Sequence, residues 1–347
     1  MKIYLDDSQC KEALMPFSLT RNVAEFRIGI LTIKEKWKLI LGDQIELLEN
    51  NNNQNDFINI PSNVIPTKQN YKIIIESCLN KSALSENEEI KFIHYPWNIF
   101  QLNDWAIRKD FEIITENRKS NPISKTNSII GDHKNIFVEE GAIVEHCILN
   151  ANTGPIYIGK DALIMEGSMI RGPFAILEKS VVKMGSKIYG ATTIGNECVV
   201  GGEIKNSIFF ECSNKAHDGY LGDSVIGAWC NLGAGTSCSN VKNTGGNVRY
   251  KLSNQSEPIS AGNKGGLLMA DYSRCAINTS FNTGTVVGVC CNIYGSNYPK
   301  KYVDHFSWGD ERYLFEKALK DIDIWKKMKN KNINDIETQL LKKIFFN

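Results

Sequence analysis

The sequence has no pair of cysteines at C-x-x-C spacing, no run of about 18 uninterrupted apolar residues and no surplus of either charge. Each absence removes a class of protein. Ten scattered cysteines without clustered histidine partners give neither a zinc site nor a disulfide framework, and reduced thiols are the simplest account. The stretch MKIYLDDSQCKEAL reaches Asp6 and Asp7 before an apolar signal core can form, so the chain is expected to be soluble, unexported and cytoplasmic, with no membrane partner. A net charge of +1 with 23% charged residues supplies no basic field, so nucleic acid is not an expected partner. His94, His133, His146 and His305 have no ligand-spaced companions, which disfavours a zinc-dependent β-helix enzyme. The neighbours Asp6 and Asp7 read as a turn, and no metal ligand is assigned.

What the sequence does have is a period. Ile158, Ile164, Ile170, Ile176, Val182, Ile188, Ile194 and Val200 follow one another at steps of six. Four positions after each stands a second column: Ala162, Ser168, Phe174, Ser180, Ser186, Thr192, Cys198 and Ile204, most of them small. Six residues match neither the 3.6 of a helix nor the 2 of a plain strand; they match a short strand plus a turn, stacked into a parallel β-helix. After Val200 the phase slips and resumes as Ile208, Asn214, Tyr220, Ile226, Leu232 and Cys238, which are expected to point inward. It returns again at Cys275, Phe281, Val287 and Ile293.

The period organises the chain. Residues 131–299 form the β-helix, interrupted by a polar loop or hairpin at 241–265. Residues 300–347 read as a helical tail, with helical spacing at Leu314, Ala318, Ile322 and Trp325, that caps the coil or packs on a neighbour. Residues 1–115 read as a small α/β unit, with KIYL, KLILG and YKIIIES strand-like and TIKEKWKLI helix-like; 116–130 is the linker. Trp97, in HYPWNIFQLN, is expected to anchor the packing between domains, and GNKGG at 262–266 to be a hairpin turn.

The stretch GGEIKNSIFFECSNKAHDGYLGDSVIGAWCNLGAGTSCSN, residues 201–240, is similar to the signatures of the left-handed β-helix half of bifunctional sugar-1-phosphate nucleotidylyltransferase/acetyltransferases, the family of UDP-N-acetylglucosamine synthesis. That resemblance implies a mainly β fold: a left-handed parallel β-helix of hexapeptide repeats behind a truncated α/β nucleotidyltransferase-like domain. It implies an acetyl-CoA-dependent N-acetyltransferase acting on an amino-sugar phosphate such as glucosamine-1-phosphate, assembled as a homotrimer. By position, His217 falls on the family's general base, Lys205, Tyr220, Asn231 and Asn240 on the residues that hold the sugar phosphate, and Lys187 where many members carry arginine. Val241 replaces a tyrosine of one branch, and Arg249 is the candidate for a cation that other branches place in this loop. Ala234 falls where a backbone amide meets the acyl-CoA. Residues 13–29, ALMPFSLTRNVAEFRIG, look like the tail of the nucleotidylyltransferase signature, with LDDSQCKE standing where its Gly-rich part would be. That second likeness implies a sugar-1-phosphate nucleotidylyltransferase using UTP or dTTP with Mg2+, in which Arg21 contacts phosphate; a catalytically silent β-helix scaffold is the third reading.

The chemistry suits these residue types. Acetyl transfer to an amine needs a base for the ammonium proton, a donor for the oxyanion and cations for the phosphate. A histidine titrates near neutrality, and proton transfer of this kind is worth about 10²- to 10⁴-fold. Gly233 and Gly235 allow backbone N–H groups to approach a ligand.

Overall fold

A computed structural model describes residues 2–42, 46–48 and 57–346. The middle of the chain winds into a parallel β-solenoid with three faces. Strands of one face join a ten-stranded sheet running from Ile143–Val144 to Glu311–Arg312, and the other two faces merge into a thirteen-stranded sheet through two long strands, Glu203–Phe209 and Tyr220–Ile226. Ile156, Phe174 and Thr192 lie in register in successive coils, 18 residues apart, so three six-residue units make one turn.

The inward column is Ile158, Ile164, Ile170, Ile176, Val182, Ile188, Ile194 and Val200, each at most 2% exposed. Each of these aliphatic chains contributes about 1.5–3 kcal/mol by leaving water. The small column lies at the corners, where Ser180 Oγ donates to Gly195 O and accepts from Cys198 N.

Past Val200 the inward set differs from the expected one. The interior takes Ile204, Phe209, Lys215, Leu221, Ile226, Leu232 and Cys238, not Ile208, Asn214 and Tyr220. The coils here are shorter: Ile194 pairs with Phe209 and Val200 with Lys215, 15 residues on, and Ile204 with Leu221, 17 on. The two long strands turn their corners with five residues in place of six, and Asn206 (φ 46°) and Asp223 (φ 47°) take the left-handed backbone that these residue types tolerate. Ile208 faces outward instead, into the core shared with the front domain.

Strand pairing also extends the solenoid beyond 131–299. Ser128–Ile130 pairs with Ile148–Asn150, and Tyr302–Val303 and Ser307–Trp308 add rungs after Ile293. Arg249–Tyr250 and Ile259–Ser260 form an antiparallel hairpin within the 241–265 loop. The tail forms two helices, Phe315–Lys327 and Asp335–Phe346, whose Phe315 and Phe345 close on Phe306 of the last coil. Ala318 and Ile322 are buried as the helical spacing requires, whereas Leu314 precedes the helix and is 73% exposed.

In the front domain Lys2–Asp6 is the central strand of a three-stranded parallel sheet. Thr32 and Glu35 form a reciprocal capping box that starts the helix Ile33–Leu41, which absorbs KLILG. YKIIIES is helical as well, Tyr71–Leu79: Ile74 is buried and Ile73 half-exposed, so a run of isoleucines that reads as a strand presents only one helical face to the core.

The two parts share one core. Phe17 and Phe26 pack on Phe210 of the solenoid, and Ile107 and Ile114 of the helix Asn103–Thr115 pack against Phe137, Tyr157 and Leu177. Asn103, fully buried, accepts from Gly29 N and donates to Ala191 O. Trp97 stacks on Tyr250 of the hairpin at 5.1 Å between rings. Among the described residues all ten cysteines are free, nine of them buried, and no helix is long and apolar enough to cross a membrane.

Candidate functional site

The shortened coils create the site. His217 sits in the loop between Asn214–Lys215 and Tyr220–Ile226, at a corner of the solenoid, and is exposed. Its loop lies between two glycine-bearing loops. A Cβ on Gly202 would stand 2.9 Å from His217 O, and a Cβ on Gly219 would stand 2.0 Å from Thr236 O, so neither position has room for a side chain. On the other side Gly235 N donates to Asp218 O at 3.1 Å, which sets the loop bearing Ala234 directly against the loop bearing His217. Ala234 O is itself held, accepting from Asn278 N at 2.7 Å.

A second group lies on the neighbouring face. Lys187, Glu203 and Tyr220 stand in register across three strands, as do Tyr189, Lys205 and Gly222. The Tyr220 ring lies over Gly222, where a Cβ would meet its Oη at 2.3 Å, beside the Asn240 amide. Buried Asp223 accepts from the amides of Asn206 and Asn240 and so ties three coils together. Burial, with the Asp223 charge, pushes the Tyr220 hydroxyl up to about 12, which makes it a hydrogen-bond donor at neutral pH and not a base.

Lys205 opens onto a cavity of about 440 Å3 whose other cations are Arg171 and Lys264. Gln101 and Asp104 of the front domain also line it, with Tyr189 and Asp223. Lys187 lies in an adjoining groove with Arg171, Tyr189, Ile148 and Met169.

Two expected residues do not join this group. Asn231 belongs to the third face, paired with Asn214 and Arg274, and lines an apolar cavity of about 300 Å3 with Trp229 and Trp325 under the tail helix. Arg249 is exposed on the hairpin, and Lys264 of the same loop occupies the cavity in its place. Sequence reasoning missed Lys264 because GNKGG reads as a turn, and missed Arg171 because it belongs to a coil before the signature; a lysine carried by the one long insertion was the available signal.

The front domain's signature is otherwise employed. Arg21 donates to Asp271 (2.5 Å) and Glu211 (3.0 Å) of the solenoid and lies over the Phe210 ring at 4.9 Å. Asp271 also accepts from Thr20 Oγ1 at 2.8 Å. The two carboxylates outweigh burial and raise the guanidinium pKa further, so Arg21 stands as a paired cation between the front domain and the solenoid. Asp6 accepts from Ser8 N and Asn59, and Asp7 from Val23 N. Among the described residues no group of three or more His, Cys, Asp and Glu side chains is placed to hold a metal ion.

Residues 3–51 and 46–119 match the sugar nucleotidyl transferase family model. Over 244 residues the chain is 29% identical to the bifunctional protein GlmU of Methanococcus maripaludis, covering 68% of this chain and 52% of that protein. Over 306 residues it is 28% identical to the bifunctional sugar-1-phosphate nucleotidylyltransferase/acetyltransferase of Sulfurisphaera tokodaii, covering 77% and 69%. It resembles the bifunctional nucleotidylyltransferase/acetyltransferases. The likeness reaches 37% over 122 residues with GlmU of Wigglesworthia glossinidia brevipalpis, 35% of this chain. The chain spans about half the length of the Methanococcus relatives it matches.

Proposed function

We propose that this chain is an N-acetyltransferase that uses acetyl-CoA and an amino-sugar phosphate of the glucosamine-1-phosphate kind, in the synthesis of nucleotide sugars. The observation that carries the reading is an exposed histidine fixed between two glycine-bearing loops, with Lys205, Tyr220 and Asn240 gathered on the next face. His217 takes the proton from the sugar ammonium. The freed amine attacks the thioester carbonyl, and as the tetrahedral intermediate collapses the C–S bond breaks and the thiolate of CoA leaves with the proton that the nitrogen sheds in becoming an amide. Lys205, Arg171 and Lys264 pair with the phosphate, and charge-assisted contacts of this type outweigh neutral ones. The Ala234 loop meets the donor. A cytoplasmic homotrimer is part of the proposal, supported by apolar side chains on one face, Ile130, Ile148, Met169 and Tyr189, each 40–42% exposed.

Acetyl-CoA and glucosamine-1-phosphate supplied to the purified chain test the reading: wild type is expected to release CoA, and His217→Ala to lose that release. Equal release from both would sink it. The match of residues 3–51 and 46–119 favours a second reading, sugar-1-phosphate nucleotidylyl transfer. Pyrophosphate released from UTP or dTTP with a sugar-1-phosphate would support it, and inertness toward both nucleotides would remove it.

A further inference from the structure

Lys215 occupies a place that the rest of its column gives to aliphatic residues. It pairs in register with Val200, the same column contains Val182 and Leu232, and it is 1% exposed. An ammonium is a poor substitute for a valine or leucine in such a setting, because removing its water is strongly unfavourable unless its protons are taken up. Among the described residues no carboxylate forms an ion pair with it; Asp218 and Cys275 are the ionisable groups that face it. Its hydrogen bonds go to two backbone carbonyls: His217 O at 2.8 Å and Gly201 O at 3.2 Å.

Those two carbonyls belong to adjacent coils, and the loops that carry them touch backbone to backbone. A Cβ on Gly201 would stand 2.7 Å from Ala216 O. The coil that ends at Lys215 is also three residues shorter than the two before it. The His217 loop is therefore drawn tightly over the preceding coil, with the ammonium beneath it.

We infer that Lys215 is a positioning residue for His217: its ammonium, seated in the apolar interior, grips the carbonyl of His217 and fixes where the imidazole stands at the corner of the coil. The inference rests on the reading of His217 as the base. Burial lowers the Lys215 pKa to about 8, as an ammonium without a counter-ion requires.

Lys215→Met fills the interior without the grip. Replacing a buried charge by an apolar residue of similar volume is often neutral or stabilising, whereas a displaced catalytic group can cost about 10²-fold in rate. The expected result is a melting temperature equal to or above wild type, kcat lower by about 10²-fold, KM for the sugar phosphate unchanged, and faster hydrogen exchange at the amides of residues 216–219. A role in stability alone would lower the melting temperature and leave the kcat of the folded protein unchanged, which overturns the inference. Wild-type kcat and exchange in Lys215→Met would do the same. Should that variant not fold, Lys215→Leu, with the residue found at 232, repeats the test, and failure of both to fold assigns Lys215 to the coil and not to His217. If wild type transfers no acetyl group, the proposed function fails separately, and exchange at 216–219 together with the imidazole NMR titration still decides the placement of His217.

Discussion

The coils from Ile136 to Val200 and those from Gly201 to Asn240 are one solenoid built under two rules. In the first stretch the turns run 18 to 21 residues and the interior is apolar throughout. In the second the turns shrink to 15 and 17 residues, a lysine enters the interior, and an Asn–Asp–Asn ladder replaces a plain corner. A regular coil spends all its backbone on stacking. An irregular one frees loops, and here the loops hold His217 and Ala234 while the bent strands bring Lys205 and Tyr220 to an adjacent face.

That contrast is best attacked by exchanging insults between the two stretches. His217→Ala should lower kcat by about 10²- to 10⁴-fold with no change in melting temperature, since the side chain is exposed. Ile176→Ala, in the regular stretch, should do the opposite: about 2–5 kcal/mol less stability by denaturant unfolding, with the folded fraction as active as wild type. Activity lost in proportion at both positions would erase the distinction. Lys264→Ala should raise KM for the sugar phosphate about tenfold, the scale of one hydrogen bond to a charged group, while Arg249→Ala should leave it unchanged in the same steady-state assay.

The gentlest test is a slope. The folded pKa of Lys215, about 8, lies below its ordinary 10.5. The unfolded chain therefore binds the extra proton between those values, and stability relative to Lys215→Met should rise with pH across that window, by at most about 1.4 kcal/mol per unit. Below pH 8 both states are protonated and the difference between the two proteins should be flat. A difference that stays flat from pH 8 to 10.5 and falls only above 10.5 would mean that the ammonium is held better folded than unfolded.

The regular stretch was legible because its period is redundant: eight inward positions from Ile158 to Val200 repeat one instruction. The irregular stretch was not, because Ile208 and Phe209 are both apolar and only the corner at Asn206 decides which of them faces in. That His217 stands outside the inward column was legible, since the spacing of a loop survives a change of register. The substitution of Lys264 for Arg249 was not, because it depends on how the hairpin docks against the front domain. Isoleucines 73–75 misled for a related reason: three in a row carry no period. Arg21 lay in a legible motif, and only the fold supplies the carboxylates that occupy it.

The stack of Tyr95, Trp97 and Tyr250 has a consequence for what the front domain is for. It clamps the hairpin from one side while Gln101 donates to Ala261 O at 2.8 Å, three residues before Lys264. The domain thereby acts as a splint: its contacts hold the arm of the insertion that carries Lys264 against the side of the cavity.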